Sequence, residues 1–295
     1  MTPSFRLALA ASCLVLSSCA KEDKAVARTI AGFSTPESVL HDAEADVYLV
    51  SNISGDPFGH DGDGFISRVS PDGKVLDLRW IDGKKEGVHL DAPKGLALSG
   101  DLLWVADIDQ LRAFDRKTGA PRKAIAIPGA TFLNDVCTDE VGTIYVSDSG
   151  FGPGFSATGT DAIWAVKLDG DKETVAALAR GDALAHPNGL GISPHGDLFC
   201  IDWAKGRFTL IAKDGKLDTA LQLPATQLDG LVRRADGHWL ASSWEGKCVY
   251  DIAPKGEIKV LFEGLEQPAD LGIDLKRSCL LVPLFGANEV RVVPL

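Results

Sequence analysis

The chain has 295 residues, 45% of them hydrophobic, which is enough to bury a large core and excludes a collagen-like, disordered or polytopic-membrane reading. A formal charge of −11 argues against a nucleic-acid surface, which needs Lys and Arg gathered on one face. Length alone allows two domains, so internal repetition has to decide.

Met1 to Ser18 carries one charge, Arg6, ahead of an apolar stretch from Leu7 to Leu16 that is too short to span a bilayer and is shaped like the core of a signal peptide. Leu16-Ser17-Ser18-Cys19 resembles the bacterial lipobox, which implies that Cys19 becomes the lipidated first residue of the mature protein. An ordinary signal peptide followed by a chance cysteine is the alternative, and intact-mass analysis of the mature protein distinguishes the two. The polar run Lys21 to Lys24 reads as a tether. The expected division is therefore a signal peptide over 1–18, a lipidated Cys and tether over 19–24, and one domain over 25–295. Cleavage removes one positive and no negative charge and leaves −12. Ala20 stands where an Asp commonly retains such proteins at the inner membrane, so the expected location is the periplasmic face of the outer membrane. Cys137, Cys200, Cys248 and Cys279 sit in apolar runs with no CxxC or Cys/His spacing and read as buried thiols, although an oxidising periplasm permits disulfides.

From Thr35 onward one pattern recurs. A short apolar strand opens with a Pro or Leu and a variable residue, passes a turn, and is followed by a second strand rich in Leu, Val and aromatics. The copies begin at Thr35 (TPESVL), Ala92 (APKGLAL), Phe132 (FLNDVC), His186 (HPNGLGI), Gln227 (QLDGLV) and Gln267 (QPADLGI). Their variable residues, Glu37, Lys94, Asn134, Asn188, Asp229 and Ala269, are 57, 40, 54, 41 and 40 residues apart. A period near 40 with room for four strands predicts propeller blades. Further strands are legible inside a unit, such as Arg207 to Ala212 and Leu217 to Leu223 around the Asp214-Gly215 turn. The last unit ends at Leu295 after three strands, the third over Glu289 to Val293, and the β-branched segment Ala25 to Ala31 is the candidate fourth. The predicted fold is all-β: a six-bladed β-propeller with four antiparallel strands per blade, the last closed by an N-terminal strand that removes an open sheet edge.

The first strand of a propeller blade lines the central channel, so the variable residues should form a ring on the axis. Two carboxylates and two amide oxygens suit a hard divalent cation, Ca²⁺ first, with Mg²⁺, Mn²⁺ or Zn²⁺ as alternatives. Without a cation, carboxylates buried there would be costly.

At these residues the chain resembles the SMP-30/gluconolactonase/LRE family, whose architecture is related to that of paraoxonase and a squid phosphotriesterase. Glu37 in TPES, Asn134 in LND, Asn188 in PNGL and Asp229 in LDGL match the family's metal-holding positions, and PNGL with LDGL is the most specific part of a likeness covering roughly Phe33 to Leu295. The resemblance implies one divalent cation held by these four, Asp229 as catalytic base, and Asn134 against substrate or water. One departure concerns substrate. Sugar-lactone members tend to carry an Arg just before the third-blade Asn, where this chain has Thr131-Phe132-Leu133.

Strand order places the blade-entry loops and the loops between second and third strands on the metal face. Two of the latter, Asn52 to Gly64 and Ser149 to Asp161, are long and Gly-rich, and their apolar tips Phe58, Phe151 and Phe155 are candidate pocket walls. His60, His89 and His186 fall on that face and complete the candidate substrate pocket with Lys94; His41, His195 and His238 fall on the other. Lys94 either orients an anionic substrate or pairs with Asp107 or Asp109, and the pairing is the expectation. His60-Asp61-Gly62-Asp63-Gly64 lacks the spaced Glu of an EF-hand and reads as a turn. No GxSxG elbow, Walker loop or strand-linked GxGxxG is present. Two functions remain. One is a metal-dependent hydrolase of lactones or related esters acting on a small molecule. The other is a non-catalytic binding or scaffold propeller with a structural metal. In both, the chain is a monomer that touches the membrane only through its lipid and binds no nucleic acid.

Overall fold

The computed structural model describes residues 27–170 and 172–295. The signal peptide, Cys19, the tether, and Ala25 and Val26 of the expected closing strand lie outside the described residues. Among those described, six antiparallel sheets of four strands form the blades of a six-bladed propeller. Blade 1 runs Pro36–Asp42, Val47–Asn52, Phe65–Val69 and Val75–Asp82; blade 2 runs Pro93–Ser99, Leu102–Asp107, Gln110–Asp115 and Pro121–Ala126. Blade 3 uses Leu133–Thr138, Ile144–Asp148, Ala162–Asp169 and Lys172–Arg180, and blade 4 uses Pro187–Ile192, Leu198–Asp202, Arg207–Ile211 and Leu217–Gln222. Blade 5 comprises Leu228–Arg233, Trp239–Ser243, Cys248–Ile252 and Ile258–Glu263; blade 6 comprises Gly272–Asp274, Cys279–Leu284 and Glu289–Pro294.

Blade 6 takes its outer strand from the N-terminus. Arg28–Ala31 pairs antiparallel with Glu289–Pro294 in the register Arg28 to Val292 and Ala31 to Glu289. The ladder satisfies backbone groups that would otherwise form an exposed edge. Ile30 is 5% exposed and packs with Phe33, Val39, Tyr48, Cys279, Leu281 and Val290, so the strand also joins blade 6 to blade 1.

The inner strands of the blades are better buried than the outermost ones because they face neighbouring blades on both sides. Val47–Asn52 is buried throughout, while Val75–Asp82 is largely exposed or half-buried. Inter-blade cores are aliphatic and aromatic, as between blades 2 and 3 with Trp104, Leu133, Val146 and Trp164. All four described cysteines are free thiols; Cys200, Cys248 and Cys279 are buried and Cys137 is half-buried.

One local feature recurs in every complete first strand. The pairing of first with second strand slips by one residue between Pro36 and Val39, Pro93 and Leu96, Leu133 and Val136, Pro187 and Leu190, and Leu228 and Leu231. Each slip is a β-bulge, in which two residues oppose one and a side chain is re-aimed. The bulged pairs are Glu37-Ser38, Lys94-Gly95, Asn134-Asp135, Asn188-Gly189 and Asp229-Gly230, so the variable residues of the repeat are its bulge residues. In three blades a serine on the second strand accepts from the freed backbone N–H: Ser51 from Ser38 (2.9 Å), Ser147 from Asp135 (2.9 Å) and Ser242 from Gly230 (2.8 Å).

Ile30→Ala should cost about 2–5 kcal/mol as a large-to-small core change, equivalent to a fall in Tm of roughly 5–15 °C for a domain of this size. Truncation through Ala31 should cost more, and a truncated protein that melts like the parent in differential scanning calorimetry would show that the N-terminal strand does not close the ring.

Candidate active site on the propeller axis

One cavity of about 290 Å³ opens where the first strands begin, and Glu37, Lys94, Asn134, Asn188 and Asp229 from blades 1 to 5 all line it. The local chain explains why they meet. The bulges turn these residues out of their ladders, and in blades 2, 4 and 5 a glycine behind them, Gly95, Gly189 or Gly230, lets the next blade come close. A Cβ on Gly189 would lie 2.5 Å from the backbone oxygen of Asp229, and one on Gly230 would lie 2.2 Å from the backbone nitrogen of Leu271. The glycines of PNGL and LDGL are therefore steric requirements of inter-blade packing.

The polar floor is buried and under-satisfied by the protein's own groups. Glu37, Lys94, Asn134, Asn188 and Asp229 are each no more than 6% exposed. Glu37 Oε2, Asn188 Oδ1 and Asp229 Oδ1 are buried with no hydrogen-bond donor. Asn134 is held in orientation, its amide donating to Ser149 Oγ at 3.0 Å while Ser149 donates to Pro187 O at 2.6 Å.

Two further carboxyls lie in the bulge layer. Asp135 accepts from Val136 N (2.7 Å) and Leu190 N (2.6 Å), and Asp270 accepts from Ser38 Oγ (2.5 Å). The axis thus gathers four carboxyls against one ammonium. Burial, then repulsion from Asp229 and Asp270, pushes Glu37 well above the usual carboxylate range, with Lys94 opposing. Burial and Asp270 push Asp229 up to about 8. The Trp244 indole and the Asn188 amide offset this in part. Asp135 is raised by burial and by Asp270, and burial lifts Asp270 itself to about 7.

Lys94 departs from expectation. Asp107 is engaged by Arg112 (2.5 Å) and by the backbone of Asp91 and Ala92, and no carboxylate lies within ion-pair distance of Lys94 among the described residues. Its Nζ donates to Ala92 O at 3.0 Å and sits 4.2 Å from the centre of the Phe132 ring. Burial lowers it to about 8, against the raising pull of Glu37 and Asp107. Arg112 reaches Asp107 first because it lies on the strand paired with it.

Of the two long loops, Phe151 and Phe155 line the cavity. Phe58 does not; it packs behind the wall at 4.9 Å from Phe132 and 5.2 Å from Phe155, and Pro57 takes the lining position. The blade 3 loop folds back as a miniature hairpin, Phe151–Gly152 with Ser156–Ala157, which places both its aromatics. None of the three expected histidines lines the cavity. His60 turns to Asp91 (3.2 Å), His89 lies in a separate groove with Arg112 and Arg122, and His186 stacks behind Phe151 at 4.3 Å, its Nδ1 2.7 Å from Ser149 O. Being on the right face was insufficient, because His60 and His186 are held by partners outside the cavity, Asp91 for the first and Ser149 O with the Phe151 ring for the second.

Ile53, Trp203, Trp244 and Phe285 also line the cavity and were missed. Each is the residue immediately after the second strand of its blade, and its backbone N–H donates to the blade-entry residue: Ile53 to Thr35, Trp203 to His186, Trp244 to Gln227 and Phe285 to Gln267. Register within the repeat carried that signal. Asp270 was equally readable as the residue after the sixth variable position.

No protein-family model and no curated protein sequence matches the chain. Solved structures do. A gluconolactonase from Xanthomonas campestris superposes with a TM-score of 0.69 at 19% identity, over 91% of this chain and 90% of that one. A protein assigned as a gluconolactonase gives 0.68 at 19% identity, over 90% and 91%. The fold is that of these propellers. Virginiamycin B lyase from Staphylococcus aureus shares it more distantly, with a TM-score of 0.61 at 10% identity over 92% of this chain and 99% of that one. A lyase and a lactonase on one fold leave the chemistry to be argued from the site.

The raised carboxyls give a signed prediction for EDTA-treated protein. Carboxyls with folded pKa above their unfolded values contribute stability that is complete below the unfolded pKa, about 4, and is lost as pH rises through the folded values of 7 to 8. Lys94, lowered from 10.5 to about 8, acts only above that window. The Tm should therefore fall between pH 5 and 8, and Asp229→Asn should flatten the fall. A melting temperature that is level or rising over that range would contradict the electrostatics.

Proposed function

We propose that the chain is a divalent-metal-dependent hydrolase of lactones or related esters, with Asp229 as general base. The observation that carries the reading is the set of three partnerless buried oxygens, Glu37 Oε2, Asn188 Oδ1 and Asp229 Oδ1, facing one cavity. Buried acceptors of this kind almost always have a donor or an ion. All three are hard oxygen donors, and with Asn134 they fit Ca²⁺ or a similar cation. No group of three or more His, Cys, Asp or Glu among the described residues offers an alternative centre, so the donor set depends on its two amides. A cation held by Glu37, Asn134, Asn188 and Asp229 would polarise the substrate carbonyl and keep Asp229 ionised.

The protein's own groups supply the rest. Asp229 takes a proton from the water that attacks the carbonyl carbon; the ring C–O bond then breaks and the proton passes to the leaving alkoxide. Asn134, fixed by Ser149, orients the attacking water or the substrate. Lys94 uses one of three N–H donors on Ala92 O, which leaves donors for the carbonyl oxygen and the product carboxylate. Similarity of fold to proteins described as gluconolactonases supports the reaction class. The sequence around Cys19 supports an exported domain tethered by lipid.

Titration calorimetry combined with a lactone and aryl-ester screen tests the reading. Wild-type protein should bind one Ca²⁺ and turn over at least one lactone. Asp229→Asn should retain weakened binding with turnover down by about 10²–10⁴, the usual weight of a general base, and Glu37→Gln should lose both. One cation bound with no turnover of any ester would instead favour a scaffold propeller.

A further inference from the structure

Above its polar floor the cavity is walled almost entirely by aromatic rings. Phe132, Phe155, Phe151, Trp203, Trp244 and Phe285 form a continuous collar, each in contact with the next, at centroid separations of 6.1, 5.7, 6.5, 5.3 and 5.1 Å in that order. The rings meet edge-on or tilted, a packing that holds each one in place. Ile53 and Pro57 fill gaps, and Gln227 contributes the one polar side chain of the lining outside the floor.

A polyhydroxylated ligand fits such walls poorly. Each hydroxyl buried without a partner costs about 1–3 kcal/mol. The floor oxygens are acceptors already assigned to the cation, and the collar's remaining hydrogen-bonding groups are the Trp244 and Trp203 indoles and Gln227. A flat apolar ring system, in contrast, gains about 25 cal/mol for every Å² it removes from water and stacks on the collar. A volume of about 290 Å³ is at the low end for small-molecule sites and suits one or two fused rings.

We propose that the substrates are aryl or fused-ring lactones and esters, seated with the apolar ring in the collar and the carbonyl on the floor, and that sugar acid lactones are excluded. The inference rests on the hydrolase reading for its chemistry but on the collar for its ligand class. Dihydrocoumarin and D-glucono-1,5-lactone are the discriminating pair. With Ca²⁺ present, kcat/KM for dihydrocoumarin should exceed that for gluconolactone by about 100-fold or more, two unpaired hydroxyls' worth at about tenfold per 1.4 kcal/mol. Phe155→Ser, at the half-exposed lip of the collar, should raise KM for dihydrocoumarin about 5- to 20-fold with kcat retained, the weight of one lost stacking contact. Equal or better turnover of gluconolactone would overturn the ligand class while leaving the hydrolase intact. If neither compound is hydrolysed, quenching of Trp203 and Trp244 fluorescence by dihydrocoumarin and not by gluconolactone would uphold the ligand class and remove the hydrolase. Absence of quenching by dihydrocoumarin would overturn the inference.

Discussion

Like charge gathered in a buried layer is the constraint around which this molecule is arranged. Four carboxyls from blades 1, 3, 5 and 6 lie buried within the central bulge layer, where Lys94 is the one opposing charge among the groups that shift them. Such an assembly is unfavourable unless protons or a cation neutralise it. Hydrogen bonds already occupy Asp135 and Asp270, whereas Glu37 and Asp229 keep an open oxygen each. The carboxyls thereby divide into a pair whose hydrogen bonds tie blades together and a pair that keeps acceptor oxygens free beside the cavity.

That division depends on the ring being closed and stiff. The N-terminal strand completes blade 6, blade 6 contributes Asp270, and Asp270 accepts from Ser38 next to Glu37. The backbone N–H of Asp270 also donates to Glu37 O at 2.9 Å. Closure of the outer rim and placement of the first proposed ligand are thus mechanically linked, although they lie at opposite ends of the sheet. Bulges repeated in five blades convert a fold of regular ladders into one that brings five side chains to one cavity on rigid elements.

Much of this was readable because period and alternation are local properties of a strand. The six variable residues, the pairing of the N-terminal strand with Glu289 to Val293, and the convergence of Glu37, Asn134, Asn188 and Asp229 on one cavity follow from the repeat alone. Side-chain direction in loops does not, since it is decided by partners distant in sequence. His60 was lost to Asp91, and Lys94 was expected at Asp107 or Asp109 but pairs with neither, Asp107 being taken by Arg112 five residues further on. The aromatic collar was missed for a different reason: Trp203, Trp244 and Phe285 stand just past a strand end, where hydrophobic character looks like core and only the register of the repeat marks them as axial.

The central claim is that a divalent cation belongs between Glu37, Asn188 and Asp229. Anomalous diffraction from crystals grown with Mn²⁺ in place of Ca²⁺ tests it directly, because the signal locates the ion without reference to activity. A single strong peak within about 2.0–2.6 Å of Glu37 Oε2, Asn188 Oδ1 and Asp229 Oδ1 is the predicted result. A featureless axis at millimolar Mn²⁺ and neutral pH, or a peak confined to the surface, would contradict it.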